Sequence, residues 1–145
     1  MIKTDSEPVK EMLVHVLHVD DDEDFRVISK RLLEKQGSFQ VEGADSVEQA
    51  LQKVRQKPYD AIVSDYKMFG KTGLELFTEI RGNGNDAPFF LVTGEKREEI
   101  VKEALNLGLD RCFSKDRAFE VLFVELASGI KEAVKSKRST VPKTG

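Results

Sequence analysis

The sequence predicts an α/β fold, a doubly wound sheet of five parallel strands. Two observations carry the prediction. Short apolar runs alternate with segments of helical period along the whole chain, and the runs are apolar at nearly every position, as in Pro88-Phe89-Phe90-Leu91-Val92. Strands alternating with helices of roughly 10–15 residues call for crossover connections and a parallel sheet. Near-continuous apolar strands fit a sheet covered on both faces.

Each element has its own signal. Leu13 to Val19 (LVHVLHV) is rich in β-branched and aliphatic residues and too short for a stable helix, so it reads as a buried strand. Asp24 to Gln36 places Phe25, Ile28, Leu32 and Leu33 at helical spacing, with Gly37 as a stop. Phe39 to Glu42 is a short strand. Ser46 and Gln49 resemble a capping box for a helix carrying Val47, Ala50, Leu51 and Val54 up to Pro58. Ala61-Ile62-Val63 is a third strand, ending at Ser64-Asp65. A loop with Gly70 and Gly73 leads to a helix with Leu74, Phe77 and Ile80, closed by Gly82-Asn83-Gly84. Phe89 to Val92 is the fourth strand. Lys96 to Leu107 has Ile100, Ala104 and Leu107 on one face and Gly108 as terminator. Cys112-Phe113-Ser114 is a brief fifth strand, and Phe119 to Lys135 a last helix with Leu122, Phe123, Leu126 and Ile130 inside.

Composition narrows the class. With 145 residues and 39% hydrophobic content the chain fits one packed domain. A single cysteine excludes a disulfide framework and a cysteine-only metal cluster. No apolar run approaches the ~18 residues a membrane span needs. Met1 to Glu11 mixes Lys3, Asp5, Glu7 and Lys10, so residues 1–12 read as a leader without a signal peptide, and the expected compartment is reducing, the cytoplasm. The net charge of −3 divides unevenly. From Lys131 onward Lys131, Lys135, Lys137, Arg138 and Lys143 oppose Glu132, giving +4, which leaves −7 for residues 1–130. Residues 137–145 read as a basic flexible tail. A solvated end is the expectation there, with no nucleic-acid or membrane role.

In a doubly wound sheet the ligand crevice lies outside the carboxyl ends of the strands. Asp20, Asp21 and Asp22 follow the first strand, Asp65 the third, Thr93 the fourth and Lys115 the fifth. A rim is polar anyway, so each residue alone has an ordinary explanation; one reactive group per strand end is harder to dismiss. Two carboxylates 4 Å apart repel by roughly 4 kcal/mol at an effective dielectric of about 20. Such a cluster persists if one acid keeps its proton or a cation sits between them. Oxygen ligands without histidine or cysteine suit a hard ion, Mg²⁺ best of all. A lysine and a threonine opposite supply donors for phosphoryl oxygens, and a carboxylate can accept the group as an aspartyl phosphate.

Val19-Asp20-Asp21-Asp22, Ser64-Asp65-Tyr66-Lys67-Met68 followed by Gly73, Leu91-Val92-Thr93-Gly94, and Phe113-Ser114-Lys115 resemble, in order and spacing, the four signatures of response-regulator receiver domains. The resemblance covers Leu13 to Lys135 and implies a receiver domain over residues 13–136 with a flavodoxin-like (βα)5 fold and strand order 2-1-3-4-5. It implies that Asp65 is the phosphoryl acceptor and that Asp20 and Asp21 position Mg²⁺, with Asp65 and the backbone carbonyl of Lys67 completing the protein ligands. Thr93 resembles the switch hydroxyl and Lys115 the ammonium that pairs with the phosphoryl group. Phosphorylation would then bias a surface made by the fourth helix, fifth strand and fifth helix.

The chain departs from the family pattern at four places. Phe69 and Asp116 stand where proline is usual. Cys112 replaces the switch aromatic, so another residue must report the switch. Lys67 and Glu95 flank the pocket, where an ion pair across its mouth would hinder an attacking water. Elsewhere ordinary roles come first. His15 and His18 read as packed strand residues, Cys112 as a small buried one, Asp22 and Asp24 as acids at the start of the first helix, and Phe25, Phe77, Phe89, Phe90, Phe113 and Phe123 as core.

The leading expectation is a phosphoacceptor module taking its phosphoryl group from a sensor histidine kinase or phosphotransfer protein and acting on a downstream protein. It is not an enzyme beyond its own phosphorylation and dephosphorylation, and its fourth and fifth helices are a candidate homodimer face. A receiver-like adaptor that no longer phosphorylates is the alternative. An aspartate-nucleophile phosphatase is more remote, because that chemistry needs a second acid where Lys67 stands, and a lid this chain lacks.

Overall fold

A computed structural model describes residues 13–94, 98–109 and 111–139. Ten elements alternate: β1 (Val14–Val19), α1 (Glu23–Glu34), β2 (Phe39–Ala44), α2 (Val47–Gln56), β3 (Ala61–Asp65), α3 (Gly73–Gly82), β4 (Phe89–Thr93), α4 (Glu98–Asn106), β5 (Arg111–Ser114) and α5 (Phe119–Ser139). All strand pairs are parallel and the sheet order is β2-β1-β3-β4-β5, as expected.

Burial on both faces explains the near-continuous apolar strands. β3 and β4 are buried at every residue. One apolar cluster joins Leu17, Ile62, Phe89 and Leu91 to Phe77 and Ile80 of α3 and to Ile100 and Ala104 of α4. The other joins Val16, Val63, Phe90 and Val92 to Phe25 and Leu33 of α1 and to Leu122, Phe123, Leu126 and Ile130 of α5. The alternate side chains of one strand thus feed opposite layers. All six phenylalanines expected inside are buried, whereas Phe69 stands 93% exposed.

Local chemistry sets the boundaries. Asp22 caps α1 by accepting from the Phe25 amide, and the helix ends at Glu34, short of the expected Gln36, before Gly37 with φ 145°. Ser46 caps α2, but the reciprocal bond of its expected capping box lands one residue earlier, where Gln49 Oε1 accepts from the Asp45 amide. Thr72 and Glu75 form the full reciprocal box on α3. Residues 95–97, where α4 was expected to begin, lie outside the described set, and Gly108 closes that helix with φ 87°.

α5 overturns part of the expected tail. It stays helical to Ser139, not Lys135, because its last turn is held from the side. Lys137 pairs with Asp86 at 2.5 Å and Arg138 with Asp60 at 3.2 Å. Residues 140–145 and the leader 1–12 lie outside the described set. Among the described residues no helix is long and apolar enough to cross a membrane.

Candidate functional site

β2 and β3 flank β1 on opposite sides, so the chain reverses its winding there and opens a crevice at the carboxyl ends of β1 and β3. Asp20 follows β1 directly and Asp65 ends β3. Register brings Val19 opposite Ser64, Asp65 opposite Val92 and Thr93 opposite Ser114, which lines the strand ends up at one level.

Three carboxylates converge there. Asp20, Asp21 and Asp65 each place one oxygen within 4.8 Å of the others. Asp20 is fully buried and Asp65 nearly so, while Asp21 is exposed. Lys115 Nζ stands between the two buried acids, 3.0 Å from Asp20 Oδ2 and 3.3 Å from Asp65 Oδ2. Its ammonium also lies 4.2 Å from the centre of the Phe25 ring, a cation–π contact from beneath. The lysine therefore acts as the internal counterion of the acidic pair.

Electrostatics follow from this crowding. Burial, reinforced by the charge of Asp20, raises the Asp65 carboxyl to about 6, against the pull of Lys115. Burial raises Asp20 as well, opposed by its bonds from the Asp22 amide and Lys115. A divalent cation would relieve the cost that both shifts record. The donor set fits one: oxygens only, from two buried acids and one exposed acid.

The surrounding backbone fixes the acids. The Asp22 amide donates to Asp20 Oδ1 at 2.9 Å, the Tyr66 amide to Asp65 Oδ1 at 2.8 Å and the Phe69 amide to Asp21 Oδ2 at 3.1 Å. Gly73 lets α3 abut β3: a Cβ there would sit 2.3 Å from the Asp65 carbonyl oxygen. Thr93 is buried at the end of β4, and its carbonyl accepts from the Lys115 amide at 2.9 Å.

The structure thus gathers Asp20, Asp21, Asp65, Thr93 and Lys115 at one rim. Lys67 lies in the loop two residues past Asp65, its side chain exposed and its backbone bridged to Thr72. Glu95, its expected partner across the pocket mouth, lies outside the described residues. Cys112 is half-buried against the α3–α4 cluster, and burial raises its thiol above the usual range. His18 is buried in β1 against Phe25, its two ring nitrogens making no hydrogen bond among the described residues. Burial first, then the charges of Lys115 and Arg26, hold it down at about 3.

Sequence reasoning missed two contributors. Phe25 was read as core alone, and nothing in a helix phenylalanine announces a lysine arriving from ninety residues later in the chain. Arg26 donates from Nη1 to the backbone carbonyl of Asp20, a reach of six residues that no helical spacing encodes.

Comparison with known proteins gives one consistent answer. The family model "Response regulator receiver domain" matches residues 16–127. Transcriptional regulatory protein MalR of Bacillus subtilis is 31% identical over 109 residues, 74% of this chain and 46% of that protein. Response regulator MprA of Mycobacterium tuberculosis is 32% identical over 115 residues, 79% of this chain and 50% of that one. The chain therefore spans about half the length of these curated relatives. Among solved structures, chemotaxis protein CheY4 of Vibrio cholerae superposes with a TM-score of 0.73 at 28% identity, covering 81% of this chain and 98% of that one.

Proposed function

The chain belongs to the response regulator receiver domain family, and from that premise we propose that it accepts a phosphoryl group on Asp65 from a phosphohistidine donor and signals through protein contact. The carrying observation is the buried acid pair bridged by Lys115 with Asp21 at the mouth. Such a site is costly to assemble and has little structural use, since surface carboxylates would fold as well in water.

In this reading Asp65 Oδ attacks the phosphorus, the donor P–N bond breaks, and the leaving imidazole takes up a proton. Asp20 and Asp21, with Asp65 and the Lys67 carbonyl, would hold Mg²⁺, which neutralises charge on the transferring oxygens when bound. Lys115 supplies the second cation, and Thr93 the hydroxyl that closes on the new phosphoryl group. The backbone amide of Tyr66 keeps the acceptor oriented. Downstream, Leu105 and Leu107 following or within α4, and Val121 and Val124 of α5, expose apolar surface suited to a target or a second copy of the chain.

The test is direct. With Mg²⁺ and acetyl phosphate, intact mass spectrometry of the wild type should show a gain of one phosphoryl group, absent in Asp65→Asn. A wild type that gains nothing, and binds Mg²⁺ no better than Asp65→Asn, favours the adaptor that does not phosphorylate.

A further inference from the structure

Every polar atom of Asp20 is held. Its amide donates to Ala44 O at 3.0 Å, its Oδ1 accepts from the Asp22 amide and its Oδ2 from Lys115. Its carbonyl, beyond the last ladder bond between β1 and β2, accepts from Arg26 Nη1. That last bond comes from α1, whereas the others involve β2, the turn after β1 and the residue that follows β5. Arg26 therefore ties the end of β1 to the helix that follows, across the turn bearing Asp21.

The arm has a seat of its own. It runs across β2 at Gly43, where an added Cβ would lie 3.2 Å from Arg26 Cδ and 3.5 Å from Nε. Gly43 pairs in register with His18, two residues before Asp20. The glycine has no positive φ, so the space it leaves is what the position offers. A half-buried arginine laid over a glycine and bonded to the carbonyl of a buried acid is a brace.

We infer that Arg26 is a positioning residue for the divalent-cation site, holding the Asp20–Asp21 turn so that both carboxylates face Asp65. The inference rests on the receiver reading and adds a residue to it. Simple charge and bracing predict opposite signs. Removing a nearby cation would by charge alone strengthen binding of a divalent ion. Removing a brace weakens it, as losses of outer-shell partners do by about 10- to 100-fold.

Isothermal titration with MgCl₂ separates the two, using the whole chain at neutral pH and well below each melting point. Arg26→Met should weaken Mg²⁺ binding about tenfold. Arg26→Lys, which keeps the charge and part of the reach, should recover most of that loss. Gly43→Ala, which crowds the arm without touching a ligand, should weaken binding in the same direction by a smaller factor. With acetyl phosphate, the Mg²⁺ concentration for half-maximal phosphorylation of Arg26→Met should rise by the same factor, while the rate at saturating Mg²⁺ stays near wild type. A merely structural role would lower stability without moving that split. Equal or tighter Mg²⁺ binding by Arg26→Met overturns the inference. Should that variant not fold, unchanged binding in Gly43→Ala overturns it. A wild type that binds no Mg²⁺ refutes instead the receiver chemistry on which it rests.

Discussion

Gly73→Ala tests how tightly Asp65 is built into the fold. Gly73 opens α3, its amide donating to Tyr66 O at 2.7 Å. An alanine Cβ there would meet Asp65 O at 2.3 Å and both Leu91 Cδ1 and Ser64 Oγ at 2.9 Å. The first is a backbone atom of a central strand and the second belongs to a buried core residue, so neither yields cheaply. Relief requires α3 and β3 to separate by about 1 Å, judged against ordinary contact distances of ~3.5 Å. That movement breaks the Gly73–Tyr66 bond and disturbs the Ser64 Oγ–Asp65 O bond of 2.8 Å. Overpacking costs ~1–3 kcal/mol and each lost hydrogen bond ~1 kcal/mol, so a loss of about 3 kcal/mol is expected.

For a chain of this size, ~4 °C of Tm accompanies each kcal/mol, which puts the drop near 12 °C. Urea unfolding and thermal melts followed by circular dichroism measure it, with Gly82→Ala as the control. Gly82 ends the same helix with nothing within 4 Å of an added Cβ, and alanine there should be neutral or stabilising by up to ~1 kcal/mol. Because the shift is imposed at Asp65 itself, phosphorylation from acetyl phosphate should slow by about 100-fold in whatever fraction remains folded. A Gly73→Ala protein melting within about 3 °C of wild type would refute the close approach of helix and strand.

Two predictions concern protons. Cation binding requires ionised carboxylates, and Asp65 holds its proton up to about 6. Mg²⁺ affinity should therefore be flat above about pH 7 and fall by roughly tenfold per pH unit below 6, as isothermal titration across that range would show; equal affinity at both ends contradicts it. The linked stability has the sign of a raised carboxyl: present below the unfolded value near 4 and lost as pH rises through about 6, so Mg²⁺ should raise Tm more at neutral than at acid pH. His18 pulls the other way. Its folded value of about 3 lies below the unfolded ~6.5, so stability is full above 6.5 and is lost as pH falls toward 3, by about 2 kcal/mol at pH 5. His18→Leu removes a buried ring without hydrogen bonds, and its stability advantage over wild type should grow steadily between pH 7 and 5 in urea titrations. A constant difference would show that the imidazole is not the source of the slope.

How legible the molecule was in its sequence depends on the range of the interactions involved. Elements built from local pattern were readable: strands buried on both faces, helices with an apolar stripe, glycines with positive φ at 37 and 108. The meeting of Asp20, Asp65 and Lys115 was readable because topology brings neighbouring strand ends together, and strand ends are local signals. The misplaced end of the last helix was set by distant contacts. α5 continues to Ser139 because Asp60 and Asp86, some fifty to eighty residues earlier, capture its last turn. The pull of Asp45 on Gln49 displaced half of a capping box that the spacing had written for Ser46. The Thr72–Glu75 box stands in the sequence as a plain Thr-x-x-Glu beside Gly73, the first residue of α3.

Lys115 shows what the assembled site adds to its parts. Its ammonium is committed to Asp20 and Asp65 at once, an arrangement that offsets the charge of two buried carboxylates. Asp20, Asp21 and Asp65 would hold a divalent cation, which would share that neutralisation, and under the proposed function Lys115 would then turn to the oxygens of a phosphoryl group. Phe25 lies 4.2 Å from the ammonium, and the Lys115 amide donates to Thr93 O. That bond joins the backbones of the two residues that would meet the phosphoryl group under the proposed function. Cys112 lies in β5, three residues before Lys115, and the Lys115–Thr93 backbone bond links the ends of β5 and β4 independently of that side chain.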